Sequence, residues 1–540
     1  MKKKNLIKQF VLISLFVGIV FPASAQFDNV GSIDFPTSES GEAQQYFLRG
    51  VAILHSFGWE QAQEQFQRAQ EIAPDFAMAY WGESLAYNHP LFSQMDATEP
   101  RSVLQRLGST PQIRMSKAPT NREKGFLAAV EVLWGDGEIA DRKIGYMEAM
   151  EDLYNSHPDD DEVAAFYALS VLSARAASGG DLDNRMAVKA GTIALDIFNR
   201  KPSHPGAAHY TIHSFDDPIH APLALEAAFR YSEIAPAVSH ARHMPTHIFI
   251  QHGMWDHVSG NNQSAFDAAR ELWRPGQSMG DAIHSLDWGQ YGDLQKGDYE
   301  KARLWIDRIE TMSTQGGFAE GGARGASGAA RARNTVALTK NRYIVDAEDW
   351  KIQDITEDSP DHELLATALS AYHLEDQVTL KAAEQELNRR VEGGEEGYTA
   401  IMANQASGLL HAGMGHPDVA VRFFEEAIDI IEPMAPPRGS ANPIKPLFEM
   451  YGEVLLDLGR HDDAVDQFEI SLQRMPNRPR SLWGMANAQA AIGQVDLATE
   501  HYQMLVDIWT GSENFGGITE ARSYLMDNTV SYTHLRAHET

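Results

Sequence analysis

The chain has 540 residues, is 43% hydrophobic, and carries 75 acidic against 45 basic side chains for a formal charge of −30. Such acidity argues against nucleic acid or an anionic membrane surface as a partner. There is no cysteine, which excludes disulfides, thiolate metal ligands and a lipidated cysteine, so a metal must bind through His, Asp or Glu.

At the start of the chain, Lys2, Lys3, Lys4 and Lys8 precede an apolar run from Phe10 to Phe21 and the small residues Ala23, Ser24 and Ala25. This pattern predicts a signal peptide over residues 1–25, cleaved near Ala25, and hence a bacterial periplasmic or secreted protein. Losing its lysines takes the formal charge from −30 to −34. The run is too short to span a membrane, and no later stretch has the length a span needs.

Residues 26–314 read as a first block of helical hairpins. Gly50, Ala62, Phe66, Ala69 and Pro74 place small residues where two helices cross, a ring between them and a proline at the end. Thr120 with Glu123 forms a capping box, and Asp159 to Glu162 supplies acidic residues for the start of a further helix. Residues 315–334 are glycine-rich and read as a connector, without the Gly-Lys-Ser/Thr ending of a phosphate loop. Residues 335–529 form a second block, with Gly408, Ala420, Phe424 and Ala427 in the same order. There Gly459, Ala464 and Phe468 recur 34 residues later as Gly493, Ala498 and Tyr502, and Pro476 closes the first unit. Residues 530–540 read as translated sequencing adapter, so His534 and His538 carry no weight and the array is expected to continue past Asn528.

No segment has the two-residue period of a strand, so the expected fold is all-α. The units resemble the tetratricopeptide repeat (TPR). That resemblance implies a helical solenoid, a superhelix of helix-turn-helix repeats.

Ten of the 21 histidines fall between His204 and His284. Pro202 and Pro236 are 34 residues apart, as are His209 and His243, and His213 and His247, so one His-x-x-x-His pair recurs at the same place in consecutive units. Residues four apart on a helix share a face, about 5–6 Å apart at Cβ, so both rings can reach one ion. Asp216 continues the stripe of His209 and His213, while Ala208, Ile212 and Phe215 form the adjoining apolar stripe. The tetratricopeptide resemblance implies that the first helix of each unit lines the concave groove with positions 2, 5, 9 and 12. His209, His213 and Asp216 then fall at 5, 9 and 12, His240, His243 and His247 at 2, 5 and 9, and His284, Asp287 and Tyr291 at 2, 5 and 9.

The expected metal ligands are therefore His209, His213, Asp216, His243, His247, His284 and Asp287, around one or two divalent ions. Imidazole with carboxylate suits zinc, iron(II), manganese or copper(II). Asp217 and His220 lie just off the stripe, where they either orient ligand rings or cap the helix end. His240, Tyr291 and His89 face the same groove, and Arg242 is placed to meet an anionic substrate group or an acidic neighbour. His204, before Pro205, reads as a helix start. The segments Ala77-Met-Ala-Tyr-Trp-Gly, His204-Pro-Gly-Ala-Ala-His-Tyr-Thr-Ile-His, His240-Ala-Arg-His-Met-Pro-Thr-His-Ile-Phe and His284-Ser-Leu-Asp together resemble a group of exported bacterial TPR proteins.

Two functions follow as expectations. One is a metal-dependent hydrolase in which metal-activated water attacks a bound substrate and Asp216 or Asp287 is the general base; redox chemistry fits the same ligands. The alternative is a periplasmic scaffold whose groove holds a peptide, a protein or a small anionic ligand without catalysis. The residues alone leave open whether the protein is an enzyme.

Overall fold

The computed structural model describes residues 28–538 apart from 92–95, 180–183, 275–278, 315–324 and 514, and leaves the side chains of 325–330 and 529–538 undescribed. The expected leader, residues 1–25, lies outside the described residues. Every regular element among the described residues is a helix, and successive helices pair antiparallel into a tetratricopeptide-type solenoid.

The pairs are set by a ring wedged between small residues. The Phe66 ring sits between Gly50 and Gly82, where an added Cβ would lie 2.8 and 2.4 Å from ring atoms. Phe468 repeats the arrangement between Gly452 and Gly484, at 2.8 and 2.1 Å. Ala62, Phe66, Ala69, Ala420, Phe424, Ala427, Ala464, Phe468 and Ala498 are all fully buried, so the residues that carry the repeat pattern are the core. The capping box of Thr120 and Glu123 is present, and Asp160 accepts the Glu162 and Val163 N–H groups at the start of the Asp161–Ala177 helix. Within the stretch read as a connector, the chain is helical from Gly325 onward, in the helix Gly325–Asp346. The last helix, Gly516–His538, runs into the stretch read as adapter.

Contacts between units distant in sequence close the superhelix. Trp255 Nε1 donates to Asn477 O at 3.0 Å, Asn477 Nδ2 donates to His252 O at 2.8 Å, and Gly511 N donates to Lys296 O at 3.0 Å. Buried Arg478 binds Glu449 and Asp346 at 2.7 Å each, and Tyr291 Oη and Gln295 Oε1 at 3.1 Å each. The C-terminal units are thereby anchored on the middle of the chain. No helix among the described residues is long and apolar enough to cross a membrane.

Replacing Phe66 by alanine leaves a cavity between Gly50 and Gly82 and is expected to cost about 3–5 kcal/mol. Chemical denaturation of the variant checks this; an unchanged midpoint would contradict the wedge.

Candidate metal centre

The histidines are carried by Pro205–Ser214, by Ser239–His243 and Pro245–Gln251, and by Gly280–Gln295. His204 starts the first of these, its Nδ1 accepting the Ala207 N–H at 3.1 Å with Pro205 next in line. Gly206 lets this helix close on Gly41–His55, since a Cβ there would lie 2.3 Å from His55 Nδ1. The approach allows His209 Nδ1 to donate to the His55 carbonyl at 2.6 Å. Its Nε2 is then the lone-pair nitrogen of a neutral ring. In the second element the backbone stays helical through Met244, although Pro245 has no N–H to give the ladder.

Six histidines gather into two triads. His209, His213 and His240 form one, and His243, His247 and His284 the other, with one ring nitrogen of each residue within 4.8 Å of its two partners. Both obey one rule: positions 5 and 9 of a unit are joined by position 2 of the next. The triads abut, with ring centres 5.9 Å apart between His213 and His247 and 6.1 Å between His240 and His243. Each has one buried ring and two half-buried ones.

Hydrogen bonds fix which nitrogens carry lone pairs. Asn262 Nδ2 donates to Val258 O at 2.8 Å, which turns Asn262 Oδ1 toward His243 Nδ1 at 2.7 Å and makes that nitrogen a donor. His247 Nδ1 donates likewise to Asp216 Oδ2 at 2.7 Å. The two Nε2 atoms, 3.2 Å apart, are then both acceptors in the neutral rings. Only a proton or a cation between them turns this into an attraction. Burial, the largest cause, and then the neighbouring imidazoles push His243 well below the usual imidazole range, and the same holds for His213 and His284. Burial pushes His209 down to about 3. Neutral imidazole is the ligating form. His209 Nε2 and His213 Nε2 are buried with no hydrogen-bond partner among the described residues.

The remaining expected residues are placed as follows. Asp216 touches the second triad through His247 Nδ1, so its carboxylate stands behind a ring. Asp287 Oδ1 accepts from Arg342 Nη2 at 2.6 Å. Asp217 pairs with His220 at 2.9 Å and accepts the Ile219 and His220 N–H groups at 3.0 Å, closing a local turn. Arg242 donates to Pro236 O at 2.7 Å and Ser264 Oγ at 3.1 Å. Buried Tyr291 accepts from Arg478, and His89 packs edge-on against Trp59, 4.9 Å between ring centres. His240, expected to face the groove beside the ligands, completes the first triad.

Sequence reasoning missed several contributors. Trp288 lies 4.4 Å from His247 and 5.1 Å from His243, ring centre to ring centre, and Phe57 lies 4.3 Å from His209. Trp288 follows His284 by one helical turn, a spacing that marks it as a neighbour. Nothing local marks Phe57 or Asn262.

A third cluster, His55, Glu162 and His204, was also missed. Here Tyr210 Oη donates to His55 Nδ1 at 2.8 Å and His55 Nε2 donates to Glu162 at 2.9 Å, while His204 Nε2 stands 3.3 Å from the other Glu162 oxygen, both of these atoms buried without a hydrogen bond among the described residues. Burial pushes the Glu162 carboxyl up, but the two imidazoles outweigh it and hold it well below the usual carboxylate range. We read this cluster as a buried structural network, in contrast to the two triads.

Comparison with known proteins bears on the repeats. Residues 450–513 match the tetratricopeptide repeat family model, so the chain carries tetratricopeptide repeats, and the histidine block lies outside the matched segment. No curated protein matches the chain. Among solved structures it is similar to the human IFIT1 dimer with m7Gppp-AAAA, at 11% identity over 87% of this chain and 91% of that one, with a TM-score of 0.30. The TPR domain of P58(IPK) is 12% identical over 84% of this chain and 99% of its own, with a TM-score of 0.23.

Glu162→Gln removes the charge both rings address, and is expected to cost at least about 2 kcal/mol. A depressed carboxyl stabilises above its unfolded value, near pH ~4.3, and loses that contribution only as pH falls through its folded value. The loss in the variant should therefore be as large at pH 5 as at pH 7, measured by thermal unfolding. A variant as stable as the wild type at both would contradict the network.

Proposed function

We propose that the two triads each hold one divalent metal ion in an exported tetratricopeptide solenoid, and that the paired ions activate water for hydrolysis. The chain's repeats make a helical scaffold of the kind used in protein interactions; the metal pair is the function we assign to the groove of that scaffold. The observation that carries the reading is the His243–His247 contact. Two Nε2 lone pairs face each other at 3.2 Å, close to the ~3.3 Å between two nitrogens on a tetrahedral ion with bonds of ~2.0–2.1 Å.

The outer partners agree with this. Asp216 behind His247, Asn262 behind His243 and the His55 carbonyl behind His209 are the kind of acceptors that fix the tautomer of a ligating ring. A peptide-binding groove has no need to aim three rings' lone pairs inward. Six imidazoles without sulfur or a first-rank carboxylate favour zinc, copper or iron over manganese, which suits oxygen ligands. Three protein ligands per ion leave a position for water, whose acidity the ion raises to the neutral range. Asp216 is engaged by His247 and Asp287 by Arg342, so a water held on either ion would serve as the nucleophile once ionised, its proton passing to solvent.

Elemental analysis of protein purified without chelator and loaded with zinc or copper should give two ions per chain. His213→Ala and His247→Ala should each retain one and the double variant none, with helical circular dichroism unchanged. Trace metal in the loaded wild type would rule the proposal out. Asp216→Asn should keep both sites while weakening metal binding about 10–100-fold, measured by competition with a chromophoric chelator; undiminished affinity would show that the carboxylate is not supporting His247.

A further inference from the structure

One hairpin turn carries a strained aromatic residue. In five other hairpins the residue just past the cap of the first helix is a glycine, Gly253, Gly297, Gly415, Gly459 or Gly493, at φ between 61° and 81°, and in one it is the exposed Glu375. After Gly41–His55 that residue is Phe57, at φ 57° and only 7% exposed. A bulky side chain is strained in this left-handed conformation, and strain of this kind persists where the surrounding structure holds the side chain in place.

The Phe57 ring packs edge-on against His209 and stacks on His213 and His240 of the first triad, at 5.6 and 5.4 Å between ring centres. It also walls a cavity of about 50 Å³. Gly58, where a Cβ would lie 3.4 Å from Val238, brings this turn against the start of Ser239–His243. Ser239, which precedes His240, and Ala282, two residues before His284, line the cavity too, so it lies beside the position-2 histidines of both triads.

The remaining lining sets the chemistry. Glu60 and Asp281 belong to it, and no lysine or arginine does. Ser239 Oγ donates to Asp281 Oδ2 at 3.4 Å, which sets that carboxylate against the wall that carries His240. Trp273 and Met279 add an aromatic face and a thioether. Arg274, next to Trp273, turns its Nη1 back to the Glu271, Leu272 and Trp273 carbonyls at 2.8, 3.1 and 3.0 Å. Two carboxylates with aromatic faces suit a cation that has an apolar skin, because charge and ring quadrupoles attract it together. An anion would meet two like charges. At about 10–15 Å³ for each water-sized group, the space admits about four heavy atoms, the size of an alkylammonium head and too small for a sugar or a nucleobase.

We propose that this cavity is a subsite for the compact alkylammonium head of a substrate whose reacting bond lies at the first triad. That the bound molecule is a substrate rests on the metal reading; that the cavity takes an ammonium head rests on its own lining.

The test follows tetramethylammonium, methylammonium and the neutral tert-butyl alcohol by nuclear magnetic resonance titration, at ionic strength held constant with sodium chloride. The wild type and Glu60→Gln/Asp281→Asn are compared, each with and without zinc. Both residues are exposed, so the variant should keep its helical circular dichroism and its metal content. The expected result is saturable binding of at least one ammonium ion by the wild type, about tenfold or more weaker in the variant, and none of the alcohol. Equal affinity in variant and wild type, alcohol bound as tightly as the ammonium ions, or no saturable binding by the wild type would overturn the proposal. Carboxylate-dependent ammonium binding by a protein that takes up no zinc would overturn the metal reading instead and leave the cavity standing.

Discussion

The repeat units at both ends of the chain depend on one packing contact, a large ring wedged between two residues with no side chain. Phe66 between Gly50 and Gly82, and Phe468 between Gly452 and Gly484, bring helix axes closer than any Cβ would allow. That closeness fixes how each unit stacks on the last, and a fixed stack makes sequence register equivalent to spatial position. Residues 34 apart then occupy the same place on successive helices. In the histidine-bearing units other close approaches, Gly191 on Phe215 and Gly206 on His55, keep the same stacking, and the His-x-x-x-His pair that begins at His209 and recurs at His243 becomes a row of imidazoles.

The row is costly, and the ways in which its cost is offset separate the clusters. A buried imidazole with an unmatched lone pair forfeits hydration without recovering a hydrogen bond. In the His55–Glu162–His204 network that loss is recovered for three of the four ring nitrogens, which tyrosine, carboxylate and backbone amide partner, while His204 Nε2 faces the carboxylate without a hydrogen bond. In the two triads Asp216, Asn262 and the His55 carbonyl take the Nδ1 protons of three rings, His247, His243 and His209, which leaves their Nε2 atoms as acceptors and sets those of His243 and His247 face to face. Burial holds His209 and His243 below the usual imidazole range.

The repeat pattern was readable in the residues because the 34-residue recurrence of Gly, Ala and aromatic positions is the wedge contact written in sequence. That His209, His213, His243, His247 and His284 come together along the helices was readable for the same reason. The grouping was harder. His240 and His284 both occupy position 2, yet only the superhelical step between units shows that position 2 of one unit meets positions 5 and 9 of the unit before it. A carboxylate on the right stripe does not declare its partner: Asp216 stands behind a ring, and Asp287 is held by Arg342, 55 residues on. The loop that lays Gly439 on Trp288 could not be placed at all, because a repeat grammar describes contacts between neighbours and this contact comes from closure of the superhelix.

An acidic surface will hold divalent ions loosely wherever carboxylates cluster, so the coordination shell is the decisive quantity. X-ray absorption spectroscopy of the zinc- or copper-loaded protein tests the account most directly. It predicts a first shell of nitrogen at about 2.0–2.1 Å with the outer-shell scattering of about three imidazoles per ion. A shell of oxygen without imidazole scattering would place the metal on surface carboxylates and contradict the account.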